Sequence, residues 1–500
     1  MKRLFILTTF LLGISPICLN AQELTLEECQ QQAQAHYPLI KRYGLIEKTN
    51  TVLGTEQKYV CVSRPRRFGK SMAANMLAAY YDRDCDTKEF FDKLKISQSE
   101  EYLKHLNQYD VLKINMQDFL SGTHSMDEML EQLQKQVMKD LKIRYPEYAK
   151  EDNLIFVMRN IFSNTHHPFI ILIDEWDCLF REYQQDKDAQ KKYLDFLRFW
   201  LKDKDYIALA YMTGILPIKK YGSHSALNMF MEYSMTDPGE LAEFFGFTEE
   251  EVKGLCEEYA MNFEEVKAWY DGYDLISHSR FGDKRYSIYS PKSVVEAMLR
   301  HKFGTYWNRT ETYEALKIYI QMNMDGLKDS VIQMLAGEGV RINTGTFSND
   351  MTTFVTKDDV LTLLVHLGYL TYNSIDETVS IPNKEVSREY VNAISTMNWH
   401  GVADSVESSR KLLESLWAMD ADAVADMDIQ QDYDCIKLPH HGSKYSYVEG
   451  VYAHADYGLI SCGYNNRYGH PHTEVLQGLA QEGTKVLRTD EMGAVVFRGR

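Results

Sequence analysis

The sequence predicts an α/β protein built on a mostly parallel sheet, and three observations carry that prediction. The first is a short β-type run, Tyr59-Val60-Cys61-Val62-Ser63, followed by Arg64-Pro65-Arg66-Arg67-Phe68-Gly69-Lys70-Ser71 and a helix-favouring run from Met72 to Tyr81. The second is Phe169-Ile170-Ile171-Leu172-Ile173, which ends at Asp174-Glu175-Trp176-Asp177. A continuous apolar run of that length reads as a strand buried on both faces. The third is another such run, Tyr206-Ile207-Ala208-Leu209-Ala210-Tyr211-Met212, ending at Thr213-Gly214. Asp110-Val111-Leu112-Lys113-Ile114-Asn115 is a further strand candidate, and helical stretches separate all of these strands. Such separations imply crossover connections and parallel pairing.

A strand, then Gly-Lys-Ser, then a helix is the layout of a phosphate-binding loop. Backbone N–H groups at the helix start would cradle phosphate oxygens, where the helix dipole also favours negative charge. Lys70 would reach the β- and γ-phosphates and the Ser71 hydroxyl would hold Mg²⁺. The full pattern places glycine at position 64, where this chain has arginine. Read from the pattern alone, a basic surface loop is an equal alternative. Arg64, Arg66, Arg67 and Lys70 form a local basic patch, which a bound triphosphate explains more simply than a nucleic acid does. Arg66 and Arg67 either neutralise transition-state charge or pair with nearby carboxylates; both readings stay open.

The second run ends where ligands bind in open α/β sheets, beyond the carboxyl ends of the strands. Two acids with different tasks are expected there. Asp174 would hold Mg²⁺, directly or through water, and Glu175 would polarise the attacking water. Thr213, at the tip of the third run, would sense the γ-phosphate or orient that water.

These motifs resemble those of the bacterial AAA-ATPase-like family of P-loop proteins. In that family Ser-Arg-Pro-Arg-Arg-Phe-Gly-Lys-Ser is itself the P-loop, so Arg64 in place of glycine is a family trait. The resemblance spans roughly Gly44 to Asp426. It includes Leu172-Ile173-Asp174-Glu175, Thr213-Gly214-Ile215, Trp269-Tyr270-Asp271-Gly272-Tyr273 and Tyr319-Ile320-Gln321-Met322-Asn323. It continues through His366-Leu367-Gly368-Tyr369-Leu370 to Ile381-Pro382-Asn383-Lys384-Glu385-Val386. The resemblance implies nucleotide binding through Lys70, Ser71 and Asp174, with Glu175 as catalytic base. Arg64, Phe68 and Gly69 join them as candidate nucleotide contacts, and Thr213, Arg66 and Arg67 as further candidate catalytic residues. ATP and Mg²⁺ are the expected cofactors. Many members carry a nuclease-like domain after the ATPase. Its Asp and Glu-x-Lys pattern is not found after Asp426, so nuclease activity is not carried over.

The flanks have a different character. Lys2-Arg3, the apolar run Leu4 to Leu12 and Ala21 have the build of a secretory signal peptide, and the run is too short to span a bilayer. Leu24-Thr25-Leu26-Glu27-Glu28-Cys29 after it resembles the first mature residues of TolC-like outer-membrane efflux proteins. At the other end come Leu438-Pro439-His440-His441-Gly442-Ser443, then Gly469-His470-Pro471-His472, then Leu487-Arg488-Thr489-Asp490. This resembles the tail of the metallo-β-lactamase-like domain of competence-type DNA-uptake proteins, over about 432–500. Histidines are good zinc ligands, but the early H-x-H-x-D-H cluster of that fold is missing, so zinc is not expected. The three segments disagree about compartment. The ATPase body favours the cytoplasm, whereas the start favours export. A chimeric or rearranged reading frame is the expectation that reconciles them.

The four expected segments are an export-type start and stub (1–43), a P-loop core (44–245), a helical and winged-helix-like region (246–427) and a partial metallo-β-lactamase-like tail (428–500). In the third, Glu249 to Tyr259 and Phe263 to Tyr270 have helical spacing, with Asp271-Gly272 as a stop. Lys357 to Leu367, 368–372 and 378–381 read as helix, strand, strand, a winged-helix order. No basic recognition helix accompanies it, so a protein-interaction lid is favoured over DNA binding.

A net charge of −17 argues against broad nucleic-acid binding by the whole surface. The eight cysteines show no C-x-x-C spacing and suit reduced core residues. The chain is thus expected to be an ATP-hydrolysing switch or motor acting on an unknown partner. A protein partner or a homo-oligomer are the candidates, and nucleic acid is an unsupported one. A nucleotide-binding scaffold with little turnover is the alternative, and a zinc hydrolase acting through the tail is the least favoured.

Overall fold

Val60 and Val62, Ile170 and Leu172, and Leu209 and Tyr211 fall on one face of a sheet because side chains alternate along a strand. The helix Lys70–Tyr81 covers that face with Ala73, Ala74, Leu77 and Ala78. Cys61, Ile171 and Met212 point the other way and are also fully buried. A sheet covered on both faces requires strands that are apolar throughout, and this explains the unbroken apolar runs.

The computed structural model describes residues 44–218, 227–278, 282–307, 312–322, 324–349, 351–395, 433–438, 442, 455–462 and 470–492. The chain divides into two compact units, 1–393 and 394–500. In the first, β1 (Tyr59–Ser63), β2 (Asp110–Asn115), β3 (Phe169–Asp174), β4 (Ile207–Gly214) and β5 (Met231–Tyr233) form one sheet of order β2-β3-β4-β1-β5. All four pairings are parallel. Helices Met126–Arg144, Leu154–Thr165 and Lys187–Leu201 make the crossovers, each opened by a side-chain cap: Ser125, Asn153 and Asp186.

The same unit continues with β6 (Phe247–Thr248), β7 (Tyr273–Ser277) and β8 (Lys284–Tyr289), an antiparallel sheet of order β6-β8-β7. The expected helices form here at Glu249–Glu258 and Phe263–Tyr270. Thr248 and Glu251 close a capping box on the first of them. The helix–strand–strand order appears as Lys357–Leu367, β10 (Thr371–Asn373) and β11 (Thr378–Ser380). A short strand β9 (Val340–Arg341) pairs with β11. β10 is shorter than the sequence suggests because Gly368 ends the helix in a left-handed turn at φ 88°, its amide bonded to the Val365 carbonyl at 3.0 Å.

The second unit holds β12 (Tyr433–Lys437), β13 (Ala455–Ile460) and β14 (Lys485–Arg488) in a parallel sheet, with the helix Thr473–Gln481. Leu438, Ile460, Cys462, Val475 and Leu479 form its small core. His470 and His472 lie with ring centroids 4.8 Å apart. His440 and His441, the 427 boundary, the acidic stretch 420–426 and the export-type start fall outside the described residues. Among the described residues no helix is long and apolar enough to cross a membrane.

Candidate nucleotide-binding site

The parallel sheet brings the C-terminal ends of β1, β3 and β4 to one edge, with Ser63 paired to Gly214 and Asn115 to Asp174. The loop after β1 leaves the sheet at Arg64, whose amide donates to the Gly214 carbonyl at 3.1 Å. It ends at Gly69, left-handed at φ 88°, and no side chain caps the helix that starts at Lys70. The first amides of that helix have no partners of their own within it, which is the requirement for receiving an anion. Ser71 is exposed at its second position.

Lys70 is 5% exposed. Its Nζ donates to the carbonyls of Arg64 and Pro65, both at 3.0 Å. Burial pushes its ammonium below the usual lysine range, and the charges of Glu175 and Asp174 act against that shift. The lysine and the two acids therefore share one electrostatic neighbourhood.

Asp174 ends β3, buried. Its Oδ1 accepts the Thr213 hydroxyl from the adjacent strand and the Glu175 amide at 3.0 Å. Glu175 adopts a left-handed backbone at φ 54°. Its Oε2 pairs with Arg181, whose Nε also lies 3.6 Å from Asp177. Asp177 is fully buried and its Oδ2 accepts the amides of Ile215 and Leu216 at 3.0 and 2.9 Å. That carboxylate thus pins the chain as it leaves β4, immediately beyond Thr213.

Sequence reasoning missed Asp177 and Arg181. Their i,i+4 spacing across the short helix Cys178–Glu182 is the signal that could have found them. It also missed Lys113 on β2. Burial lowers the pKa of that ammonium, while Asp174 and Asp118 favour its charge. Asn115, at the tip of β2, bonds Asp118 at 3.0 Å and caps the following short helix.

Three predicted contacts lie elsewhere than expected. The Arg64 side chain is fully buried and donates to the carbonyls of Ser63 and Tyr233 at 2.9 and 2.8 Å. Burial pushes its guanidinium down to about 10. It braces the loop from inside the protein rather than facing a ligand. Phe68 is fully buried against Tyr273, edge to face at 5.0 Å, so its ring belongs to the core. Arg67 donates to the main-chain carbonyls of Tyr306 and Trp307, a fate that neither open reading of that arginine included. Arg66 is the exposed arginine of the loop.

The residues present fit Mg²⁺. The Thr213 hydroxyl and the Glu175 amide both bond Asp174 at Oδ1, so Oδ2 would serve as one oxygen ligand and the exposed Ser71 hydroxyl as another. A magnesium ion takes most of its shell from phosphate and water, so one carboxylate and one hydroxyl suffice. Among the described residues no group of three His, Cys, Asp or Glu side chains could hold a metal by itself.

Residues 39–223 match the family described as Predicted AAA-ATPase. This stretch is an AAA-ATPase-like domain. A match to that family supports nucleotide binding. A curated relative, the uncharacterized protein in the vnfD 5′ region of Azotobacter chroococcum, is 21% identical over 279 residues, 54% of this chain and 51% of that one. ComE operon protein 3 of Bacillus subtilis is 45% identical over 67 residues, 13% of this chain and 9% of that protein. The chain thus spans about half the length of one curated relative and about a tenth of the other. Solved structures with some similarity include the ORC2 protein of Aeropyrum pernix in ADPNP–ADP and ADP forms, at 10% and 9% identity. Their TM-scores are 0.27 and 0.26, over 78% and 76% of this chain and 96% of each of those.

Proposed function

We propose that this chain binds ATP with Mg²⁺ at the start of the helix Lys70–Tyr81 and hydrolyses it, as a switch or motor acting on a partner. The observation that carries the reading is the single electrostatic neighbourhood of Lys70, Asp174 and Glu175, at the carboxyl edge of three parallel strands. The uncapped amides beyond Gly69 hold the phosphates, and Lys70 neutralises them. Ser71 and Asp174 would hold Mg²⁺, directly or through water, and the ion when bound would offset charge on the phosphate oxygens. Thr213 fixes the Asp174 carboxylate through its hydroxyl. Glu175 takes a proton from, or orients, the attacking water. Arg66 is the loop arginine assigned to the phosphate charge.

A second reading, a nucleotide-gated scaffold with little turnover, draws on the engagement of Glu175 by Arg181. Mg²⁺-dependent ATP hydrolysis by the full-length chain, beside its Glu175→Gln variant, separates the two. Turnover that disappears in the variant supports the ATPase. Nucleotide binding without turnover in either protein supports the scaffold.

A further inference from the structure

The loop between β1 and Gly69 is held by residues that lie far along the chain. Pro65 packs on Gly368: a β-carbon there would come within 2.8 Å of Pro65 Cβ and 3.1 Å of the Trp307 ring. Phe68 meets Tyr273, whose hydroxyl donates to the Gly368 carbonyl at 2.8 Å. Arg67 grips the Tyr306–Trp307 segment by its carbonyls. The amides of the same two residues donate to one oxygen, Oε1 of Glu385, at 2.8 Å for Trp307. Residues 306 and 307 are therefore clamped from both sides, by a cation from the phosphate-binding loop and by a carboxylate from the helix Lys384–Ser395. Glu385 is 1% exposed, so its two amide bonds are not shared with bulk water. Arg67 has a left-handed backbone at φ 69°, a conformation that a residue with a side chain keeps only where its surroundings impose it.

We propose that Glu385 is a positioning residue for the phosphate-binding loop, acting through residues 306–307 and Arg67, and that nucleotide occupancy is thereby coupled to the helix Lys384–Ser395. This rests on the nucleotide reading of the loop. Removing the carboxylate leaves two buried amides without acceptors, which drives the segment to reorient. Its carbonyls then no longer meet Arg67, residue 67 is free to leave its left-handed conformation, and the amides beyond Gly69 shift with it. By linkage, a ligand that fixes those amides stabilises the helix contact to the same degree.

The test uses the full-length chain, a non-hydrolysable ATP analogue with Mg²⁺, and hydrogen–deuterium exchange. In the wild type the analogue is expected to slow exchange in 384–395 as well as in 64–71. Glu385→Ala is expected to weaken analogue binding about tenfold and to abolish the response of 384–395. Glu385→Gln keeps the acceptor oxygen and restores both. Arg67→Ala removes a half-buried side chain from the other end of the relay. It is expected to abolish the 384–395 response even if Glu385→Ala fails to fold. The proposal is overturned if the wild type binds the analogue and protects 64–71 while 384–395 does not respond. It is equally overturned if Glu385→Ala or Arg67→Ala binds and responds as the wild type does. A wild type that binds no analogue, like its Lys70→Ala variant, overturns the nucleotide reading itself.

Discussion

Arg181 holds Glu175 in an ion pair beyond the end of β3, with a guanidinium only 9% exposed. A general base must come within hydrogen-bonding distance of the proton it takes. Glu175 has one oxygen committed to Arg181 and the other available for that task. Glu175→Gln keeps the shape and loses the basicity. Turnover is expected to fall about a hundredfold or more, while ATP affinity changes little. Steady-state hydrolysis beside equilibrium nucleotide binding checks both halves of the statement.

Lys70→Ala removes the cation from the loop. Nucleotide binding is expected to be lost, measured by titration with a fluorescent ATP analogue, while the far-ultraviolet circular dichroism stays that of the wild type. Binding that survives the substitution would sink the assignment of this loop to phosphate.

Asp177 has no solvent exposure and satisfies two buried amides beside Arg181. Asp177→Ala leaves those amides without their acceptor and the Arg181 guanidinium with Glu175 alone. The expected loss is about 3–5 kcal/mol of stability, read from denaturant midpoints. Asp177→Asn retains an acceptor and is expected to lose less.

Gly272 sits at φ 108°, and a β-carbon there would fall 1.8 Å from the Pro382 carbonyl oxygen. The obstacle is backbone, which cannot swing aside as a side-chain tip can. Gly272→Ala is expected to lower the melting temperature by several degrees, about 2 kcal/mol or more. Gly54→Ala, with φ 69° but open space around it, is expected to cost less.

Burial raises the pKa of Glu385 above its ordinary value of 4.5, against the bonds from Ser293 and the two amides. Between the ordinary and the raised value the folded chain binds more protons than the unfolded chain. Stability from this group is complete below 4.5 and declines as pH rises through the raised value. Glu385→Gln is expected to flatten the stability profile across that window, measured by urea denaturation at a series of pH values.

The parallel sheet was legible because strands buried on both faces leave unbroken apolar runs, as at Phe169 to Ile173. Asp174, Glu175 and Thr213 stand out in the sequence at strand ends, and Lys70 stands out in the Gly-Lys-Ser between a strand and a helix. The destinations of Arg64 and Arg67 were not legible. Their acceptors at Tyr233, Tyr306 and Trp307 are 169 to 240 residues away, and backbone carbonyls carry no sequence signature. Trp269 to Tyr273, His366 to Leu370 and Ile381 to Val386 are motifs of the family resemblance, and the sequence alone assigns them no contact. The structure joins them: Tyr273 bonds Gly368, and Asn383 bonds the Asp271 carbonyl at 2.9 Å.

The packing of Pro65 on Gly368 and of Phe68 on Tyr273 has a consequence for how the first unit unfolds. A chain ended at residue 245 would bare an aromatic ring in the middle of its phosphate loop and strand a guanidinium beside it. A cut at that boundary is therefore expected to destabilise the loop. The loop and the segments that Pro65, Arg67 and Phe68 pack against are expected to open together, as a single foldon.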